Sequence, residues 1–459
     1  MENKNNFLGT EPIGKLLFKL AVPTLTAQVI NMLYNLVDRI YIGRGIGSLA
    51  LTGVGVCMPI IMIVTAFAAL TSAGGAPRAS IFMGQKDNTS AEKTLGGCFC
   101  LQFLVSAVLT AILLLWNRPL LMAFGASPDT IEYAVEYMNI YAIGTIFVQL
   151  TLSMNLFITA QGFTRTSMLS VLIGAGCNIL LDPVFIFGFD MGVRGAALAT
   201  IISQSLSTAW VLAFLFGKKT LLRIRAKYVR LTPKIILPCL ALGLAPFIMQ
   251  ASESVIAVCF NSSLQGYGGD IAVGTMTILT SVMQFAMLPL QGIGQGAQPI
   301  ISYNYGARNG DRVRRSFKLL LKVSLGYSML LWAFVICFPK VFISMFNTEA
   351  PLLAFAPTPL RIYVGALGIF GAQIACQMTF NSLGNAKASI LVAVMRKFIL
   401  LLPLIYLMPH LLPGNPTMAV YMSEPIADFL SVAFTIVLFR HQFKKALKRL
   451  DSPGDVPLI

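Results

Sequence analysis

The chain has 459 residues, of which 56% are apolar and 11% are charged, and its formal net charge is +16. An ordinary soluble domain carries about 25% charged residues, so this composition excludes a soluble domain. It indicates a protein that is embedded in the lipid bilayer. Because the basic residues lie between apolar runs, we attribute the positive charge to membrane topology and anionic lipid, and we expect no nucleic-acid partner.

The apolar runs predict an all-α integral membrane protein. A transmembrane helix needs about 20 consecutive, mostly apolar residues, and charges, Gly and Pro divide the sequence into twelve such segments. In chain order the predicted spans are 15–42, 49–76, 93–116, 131–160, 166–188, 193–216, 233–263, 270–300, 316–338, 354–382, 386–410 and 417–439.

The distribution of basic residues predicts the orientation. With twelve spans and both termini in the cytoplasm, most of the 34 Lys and Arg residues fall on the cytoplasmic side. This is the bias that the positive-inside rule describes. We therefore expect a multi-pass protein of the bacterial cytoplasmic (inner) membrane, with membrane lipids as partners.

An internal repeat divides the chain into halves. The segment GGAPRASIFMGQKDN (74–88) aligns without gaps with GAQPIISYNYGARNG (296–310), which superposes Gly74 on Gly296 and Gly84 on Gly306. Six spans per half give both halves the same orientation, so a pseudo-two-fold axis runs along the membrane normal. The predicted units are an N-terminal six-helix lobe (1–216), a basic cytoplasmic linker (217–234), a C-terminal six-helix lobe (235–440) and a cytoplasmic tail (441–459).

Acidic residues inside the spans are the candidate functional groups, because a carboxylate at the bilayer centre costs roughly 2.5–3.5 kcal/mol. In the first half, Asp38 shares a helix face with Tyr34, and Asp182 shares one with Asn178. Two further polar residues, Asn155 and Thr200, lie in the fourth and sixth spans.

If these faces converge, they form a polar pocket with two carboxylates that a proton and an organic cation occupy by turns, which is antiport. The alternative is that Asp38 and Asp182 are helix-end or ion-paired residues without a transport role. Arg39 and Arg44 lie close enough in sequence to Asp38 to keep that alternative open.

The second half has a different set of charges in its spans: Glu253, Arg396, Lys397, Glu424 and Asp428. One interpretation is a buried ion-pair network that holds helices together. The other is that Glu253 helps to bind a cationic substrate or a coupling ion.

The sequence lacks several patterns that would indicate an enzyme or an ATP-driven transporter. There is no GxxxxGK[ST] loop for ATP, and the two histidines, His410 and His441, leave little basis for a metal site or a catalytic centre. We expect no enzyme activity and no cofactor. The eight cysteines lie mostly in apolar runs, and we interpret them as small core residues and not as disulfides or metal ligands.

Characteristic motifs extend along most of the chain. They are LAVPTLTAQVINMLYNLVDRIYIG, TSAGGAPRASIFMGQKD, ITAQGFTRTSMLS, NILLDPVFIFGFDMGVRGAALATIISQ, PLQGIGQGAQPIISYNYGARN and FNSLGNAKASI. Over about residues 10–445 the chain resembles the MATE (multidrug and toxic compound extrusion) transporters, in particular their MepA-like bacterial branch. The resemblance implies a monomer with two six-helix lobes in a V, which exports bulky cationic drugs and dyes in exchange for H+ or Na+.

The resemblance also implies site residues. Family positions that couple transport to protons match Tyr34, Asp38, Asn155, Asn178, Asp182 and Thr200. Sodium-coupled relatives have an acid on the seventh span, which Glu253 matches, and another on the tenth, which this chain lacks. We therefore expect cation coupling at the first-lobe residues, substrate binding at Asp38, Asp182 and Glu253, and H+ in preference to Na+. The alternative function is a lipid-linked saccharide flippase of the same superfamily, to which Arg396 and Lys397 give some support.

Overall fold

The computed structural model describes residues 7–346 and 350–451, and within these residues every regular element is helical. The prediction of an all-α membrane protein is confirmed. Residues 1–6, 347–349 and 452–459 of the predicted lobes and tail lie outside the described residues. The elements of the first half are α1 (Phe7–Thr10), α2 (Ile13–Gly45), α3 (Ser48–Gly84), α4 (Asn88–Leu115), α5 (Asn117–Ala123), α6 (Ile131–Ala160), α7 (Thr164–Pro183) and α8 (Gly192–Phe216).

The second half begins with a helix of 74 residues, α9 (Pro233–Gly306). The other elements of this half are α10 (Gly310–Cys337), α11 (Pro339–Ser344), α12 (Ala350–Phe355), α13 (Pro357–Tyr363), α14 (Leu367–Ser382), α15 (Ala386–Val394), α16 (Leu402–Leu411) and α17 (Pro416–Asp451). Two π-helical turns interrupt the pattern, Val184–Gly188 after α7 and Met395–Leu401 between α15 and α16. The first follows Pro183, which cannot donate a backbone hydrogen bond.

Eleven helical segments in the described part of the chain are long and apolar enough to cross a membrane. One of them is α9, which would be roughly 110 Å long if it were straight, several times the ~30 Å hydrocarbon core. Gly269 interrupts it with φ 63° and ψ −159°, a conformation that favours glycine. Whether the chain crosses the bilayer on each side of Gly269 decides the count of twelve, which stays a prediction.

The last helix differs from its predicted span. Charges at residue 440 and beyond predict an end at 439, yet α17 continues to Asp451. Its basic end has an apolar face, on which Phe443, Ala446 and Leu450 pack against the core. This packing keeps the segment helical.

The hydrophobic core has separate parts in the two lobes and a shared part between them. One cluster lies wholly in the first lobe, around Val54 and Tyr137, and another lies wholly in the second, around Phe260 and Tyr421. A third cluster contains residues of both lobes and includes Ile301 of α9. This third cluster packs the two lobes together at the end of the molecule that the charge pattern assigns to the cytoplasm.

Candidate cation-binding pocket

A cavity of about 470 Å³ opens inside the first lobe. Helices α2, α3, α6, α7 and α8 form most of its wall, and two glutamines of α9, Gln250 and Gln295, complete it. Its polar lining consists of Thr24, Gln28, Asn31, Tyr34, Asn35, Asp38, Thr65, Ser72, Tyr137, Tyr141, Asn155, Thr159, Ser167, Thr200, Gln204, Gln250 and Gln295. Asp38 is the one charged residue among these lining side chains.

Asp38 and Asp182 meet at the wall of this cavity. Asp38 lies on α2 and Asp182 in the last turn of α7, and they are 7% and 0% exposed. Their carboxyl groups are within hydrogen-bonding reach of each other. The structure thus brings together two acids that are far apart in the sequence, and it places Asp182 behind Asp38 as seen from the cavity.

The carboxyl pair has few donors around it. Asn178 Nδ2 donates to Asp182 Oδ1 at 3.3 Å, but no donor of the described residues reaches Asp182 Oδ2 or Asp38 Oδ1. Two ionised carboxylates in contact and away from water repel each other. A proton on either one makes that group a donor to the other, so the arrangement suits one shared proton.

The other predicted coupling residues surround this pair at different depths. Tyr34, Asn155 and Thr200 line the cavity, whereas Asn178 is buried behind it with Asp182. Asn155 Nδ2 donates to Ser170 Oγ at 2.8 Å and so ties α6 to α7. No ion pair joins Asp38 to Arg39 or Arg44 in the described residues, which weakens the interpretation of Asp38 as an ion-paired helix-end residue.

The charges of the second lobe form ion pairs. Arg396 Nε lies 2.6 Å from Asp428 Oδ1 and an Arg396 Nη lies 3.1 Å from Glu424 Oε1. Lys397 Nζ lies 2.6 Å from Glu253 Oε1. These pairs agree with the interpretation of the second-lobe charges as a buried ion-pair network. Glu253 is not among the residues that line the cavity, so its role in substrate binding stays a prediction without geometric support.

Both halves of the chain match one known protein family. The model of the MatE family matches residues 23–184 and 246–407, two segments of equal length, one in each half, that together cover more than half of the chain. The chain belongs to the MatE family. The double match agrees with the internal repeat and the two lobes read from the sequence, and the predicted resemblance is confirmed.

Curated relatives of this MatE-family chain include two staphylococcal proteins. The "Multidrug export protein MepA" of Staphylococcus haemolyticus (strain JCSC1435) is 23% identical over 427 residues, which is 92% of each chain. The protein of the same name from Staphylococcus aureus (strain NCTC 8325 / PS 47) is 22% identical over 403 residues, 86% of this chain and 87% of its own.

Solved structures share the fold of this MatE-family chain. One is described as the outward-facing conformation of a multidrug resistance MATE family transporter of the MOP superfamily. It superposes with a TM-score of 0.90 at 22% identity and covers 96% of this chain and 98% of its own. A MOP superfamily transporter from Pyrococcus furiosus, whose description reports reverse polarity of its binding pocket, also gives 0.90, at 23% identity over 97% and 99%. Because proteins with differing pockets fit equally well, these likenesses establish the fold and leave function to the site.

Two tyrosines that line the cavity are absent from the sequence prediction. Tyr137 and Tyr141 of α6 line the cavity, are each 3% exposed, and stack with ring centroids 6.2 Å apart. Their spacing of four residues places them on one helix face. That spacing is the feature of the sequence that could have identified them as lining residues. Tyrosines within apolar runs are common, so the spacing alone did not separate them from core aromatics.

Proposed function

We propose that this membrane protein is a secondary active multidrug exporter that exchanges organic cations for H+ by alternating access. The observation that carries the proposal is the contact between the Asp38 and Asp182 carboxyl groups beside a polar cavity of about 470 Å³. The names of the MepA relatives support multidrug export as the general activity.

The carboxyl pair couples proton and cargo through charge. With a shared proton the pair carries a single negative charge, and without it the two carboxylates carry two. A cationic cargo in the cavity is attracted more strongly to the deprotonated pair, so cargo binding and proton binding oppose each other. Because such coupling is reciprocal, proton binding also weakens cargo binding. A proton gradient can then drive the cation outward.

The way the lobes meet supports alternating access. At the end that we assign to the cytoplasm, Gly84 packs on α9 and Gly306 packs on α3. Near the cavity, Gln250 Nε2 donates to Thr65 Oγ1 at 2.7 Å across the lobes. In the proposed cycle these contacts break and equivalent contacts form at the opposite end.

The nature of the cavity favours a cationic cargo. Its described lining contains Asp38 and no Lys or Arg, whereas a flippase for lipid-linked saccharides would need basic groups for a pyrophosphate. Arg396 and Lys397, which gave the flippase some support, are engaged in ion pairs. For the coupling ion we prefer H+, because the predicted tenth span lacks the acid that the resemblance to sodium-coupled relatives would imply.

The remaining parts of the proposal concern location and assembly. The protein would lie in the bacterial cytoplasmic membrane as a monomer, with both termini in the cytoplasm. Its lobes would span 1–216 and 235–440, joined by the linker 217–234. Its activity would be transport and not catalysis, without a cofactor.

The test is transport in liposomes. Purified protein is reconstituted, and ethidium movement is followed against an imposed proton gradient and, separately, a sodium gradient. We expect proton-driven movement that Asp182→Asn abolishes and Asp129→Asn, which alters an exposed acid outside the cavity, leaves unchanged. Movement driven by sodium and insensitive to protons would overturn the choice of ion. No movement under either gradient would overturn the proposed activity for this cargo.

A further inference from the structure

We infer that a basic pocket where the linker meets both lobes binds the phosphate headgroup of an anionic phospholipid. The pocket is a cavity of about 90 Å³ lined by Lys93, Tyr228, Arg230, Thr232 and Ile235. Lys93 lies on α4 of the first lobe and Ile235 on α9 of the second, and the other three residues belong to the linker. The inference concerns lipid binding alone and does not depend on the proposed transport activity.

Two glycines of α4 let the linker lie directly on that helix. A Cβ on Gly96 would lie 2.7 Å from the Tyr228 carbonyl oxygen, and a Cβ on Gly97 would lie 3.0 Å from Ile236 Cδ1. Tyr228 ends a short 3-10 turn, Ala226–Tyr228, and its carbonyl accepts from the Arg230 N–H at 2.9 Å. Close packing against α4 therefore fixes the backbone that carries the pocket side chains.

The cations around the pocket have no carboxylate partners. Lys93 Nζ and Lys227 Nζ lie 6.0 and 4.6 Å from the centroid of one ring, that of Tyr228, and Arg230 lines the same cavity. Across residues 7–346 and 350–451, no ion pair includes Lys93, Lys227 or Arg230. Positive charges around a small cavity repel one another, and an anion within the cavity would offset that repulsion.

The acids that neighbour Lys93 in the sequence are engaged elsewhere. Glu92 is buried, and its Oε2 lies 2.6 Å from Arg225 Nε. Asp87 caps the start of α4, where its Oδ1 accepts from the Ser90 N–H at 3.0 Å. These carboxylates do not pair with the pocket cations, which leaves the pocket open to an anion from outside the chain.

The donors of the pocket suit a phosphate group. Ammonium and guanidinium groups make charge-assisted hydrogen bonds to phosphate oxygens, and Lys93 and Arg230 supply one group of each kind. The Thr232 hydroxyl adds a neutral donor. Inorganic phosphate and a phospholipid headgroup share this chemistry, so the position of the pocket decides between them.

The pocket lies at the level of the lipid headgroups. Lys93 is the first residue of the predicted span 93–116, and Thr232 immediately precedes the predicted span 233–263. Headgroups lie just outside the hydrocarbon core that such spans cross, and basic pockets at the cytoplasmic ends of transmembrane helices bind anionic headgroups. Leu231 and Leu237 are 46% and 63% exposed and offer an apolar surface to the acyl chains. The lipid is therefore the occupant that we assign.

Photolabelling in a membrane tests the site. The full-length protein is reconstituted in phosphatidylcholine liposomes that contain a trace of phosphatidylglycerol with a photoreactive acyl chain. After irradiation, chymotryptic peptides are analysed by mass spectrometry, and the label on residues 226–237 is quantified. We expect label in this segment, and we expect unlabelled phosphatidylglycerol to suppress it. The same amount of phosphatidylcholine, or an excess of inorganic phosphate on both sides of the membrane, should leave the label unchanged.

Variants connect the label to the pocket. Lys93→Gln and Arg230→Gln should each lower labelling about five-fold, the contribution of one cation near an anionic lipid. Lys93→Arg and Arg230→Lys keep the charge and should retain labelling, which separates loss of charge from loss of folding. Lys219→Gln removes a charge from an exposed linker residue outside the pocket and should label as the wild-type protein does.

Three results would overturn the inference. Labelling that Lys93→Gln and Arg230→Gln leave unchanged, or lower no more than Lys219→Gln does, would show that the pocket does not hold the lipid. Suppression by phosphatidylcholine as strong as that by phosphatidylglycerol would overturn the selectivity for an anionic lipid. Suppression by inorganic phosphate would overturn the lipid as occupant and assign the pocket to a soluble phosphate.

Discussion

Gly84 and Gly306 occupy equivalent positions in the two halves of the chain, and each lies against the backbone of the other's helix. A Cβ on Gly84 would collide with the Tyr303 carbonyl, and a Cβ on Gly306 would collide with the Ile81 carbonyl. Tyr303 and Ile81 are themselves equivalent positions of the same repeat. The repeat read from the sequence therefore appears in the structure as a symmetric crossing of α3 and α9 that closes one end of the cleft between the lobes.

Gly84→Ala should shift the protein toward the arrangement that is open at this end. A methyl group at this crossing must push two backbones apart, and such overpacking costs about 1–3 kcal/mol, which corresponds to a change of roughly 5- to 150-fold in a two-state population. The measurement is the rate at which maleimide labels Cys239, mapped by peptide mass spectrometry. Cys239 is a buried residue of α9 whose carbonyl lies against Gly74 of α3. Gly55→Ala, on the same helix with nothing within 4 Å of the new Cβ, is the control, and equal labelling in both variants would contradict the closing role.

Binding of a cationic dye should strengthen as pH rises. The proton and the dye compete for the Asp38–Asp182 pair, so low pH favours the proton and weakens binding of the dye, by about 5- to 150-fold in total for coupling of ordinary size. Fluorescence titrations of ethidium over a range of pH measure this. In Asp38→Asn the dependence should flatten. A dependence as steep as in the wild-type protein would show that the competing proton binds elsewhere.

Arg396→Met should be strongly destabilising. It leaves Glu424 and Asp428 buried without their cation, and removing one partner of a buried ion pair costs about 3–5 kcal/mol. Unfolding of the detergent-solubilised protein gives the change in stability. Arg194→Met breaks the exposed pair with Glu136, where 60% of the arginine side chain is accessible, and should cost no more than about 1 kcal/mol. Similar losses in the two variants would refute the structural role of the buried network.

Gln161→Leu should release the start of the linker from the first lobe. Gln161 Oε1 accepts hydrogen bonds from the Thr220 hydroxyl at 2.8 Å and from the backbone N–H groups of Leu221 at 2.9 Å and Leu222 at 2.8 Å. Leucine leaves the backbone N–H groups of Leu221 and Leu222 without this acceptor, at about 1–3 kcal/mol for each donor that stays buried. The Thr220 hydroxyl can still donate to the Leu222 carbonyl at 2.8 Å. Limited proteolysis with chymotrypsin should cut the linker faster in this variant. Lys218→Gln, an exposed change in the same linker, should leave the rate unaltered.

Much of the fold was predictable from the sequence because a segment that crosses the bilayer as a single chain must be helical and mostly apolar. The apolar runs predicted a helical membrane protein, and the internal repeat predicted two lobes. Helix α17 continues beyond the predicted span because a helix can extend past charged residues when one face, here with Phe443 and Leu450, still packs. Gly269 lies between two of the predicted spans, and the sequence alone did not show that helix continues on both sides of it.

The site was predictable where partners lie on one helix. The spacing of Asn178 and Asp182 predicted a shared face, and their hydrogen bond is present. Contacts between helices were less accessible. The spacing rules gave no distance between Asp38 and Asp182, and charge balance did not reveal that Lys397 pairs with Glu253 while Arg396 takes both acids of α17. Such choices depend on how helices pack, which no local pattern records.

The most direct test of proton–cation exchange is proton release on cargo binding. Saturating tetraphenylphosphonium is added to the detergent-solubilised protein in weak buffer, and an indicator dye reports the change in pH. We predict that the wild-type protein releases protons as the cation binds, that Asp182→Asn binds the cation without releasing them, and that Asp129→Asn behaves as the wild-type protein does. Cation binding without proton release in the wild-type protein, or undiminished release in Asp182→Asn, would contradict it.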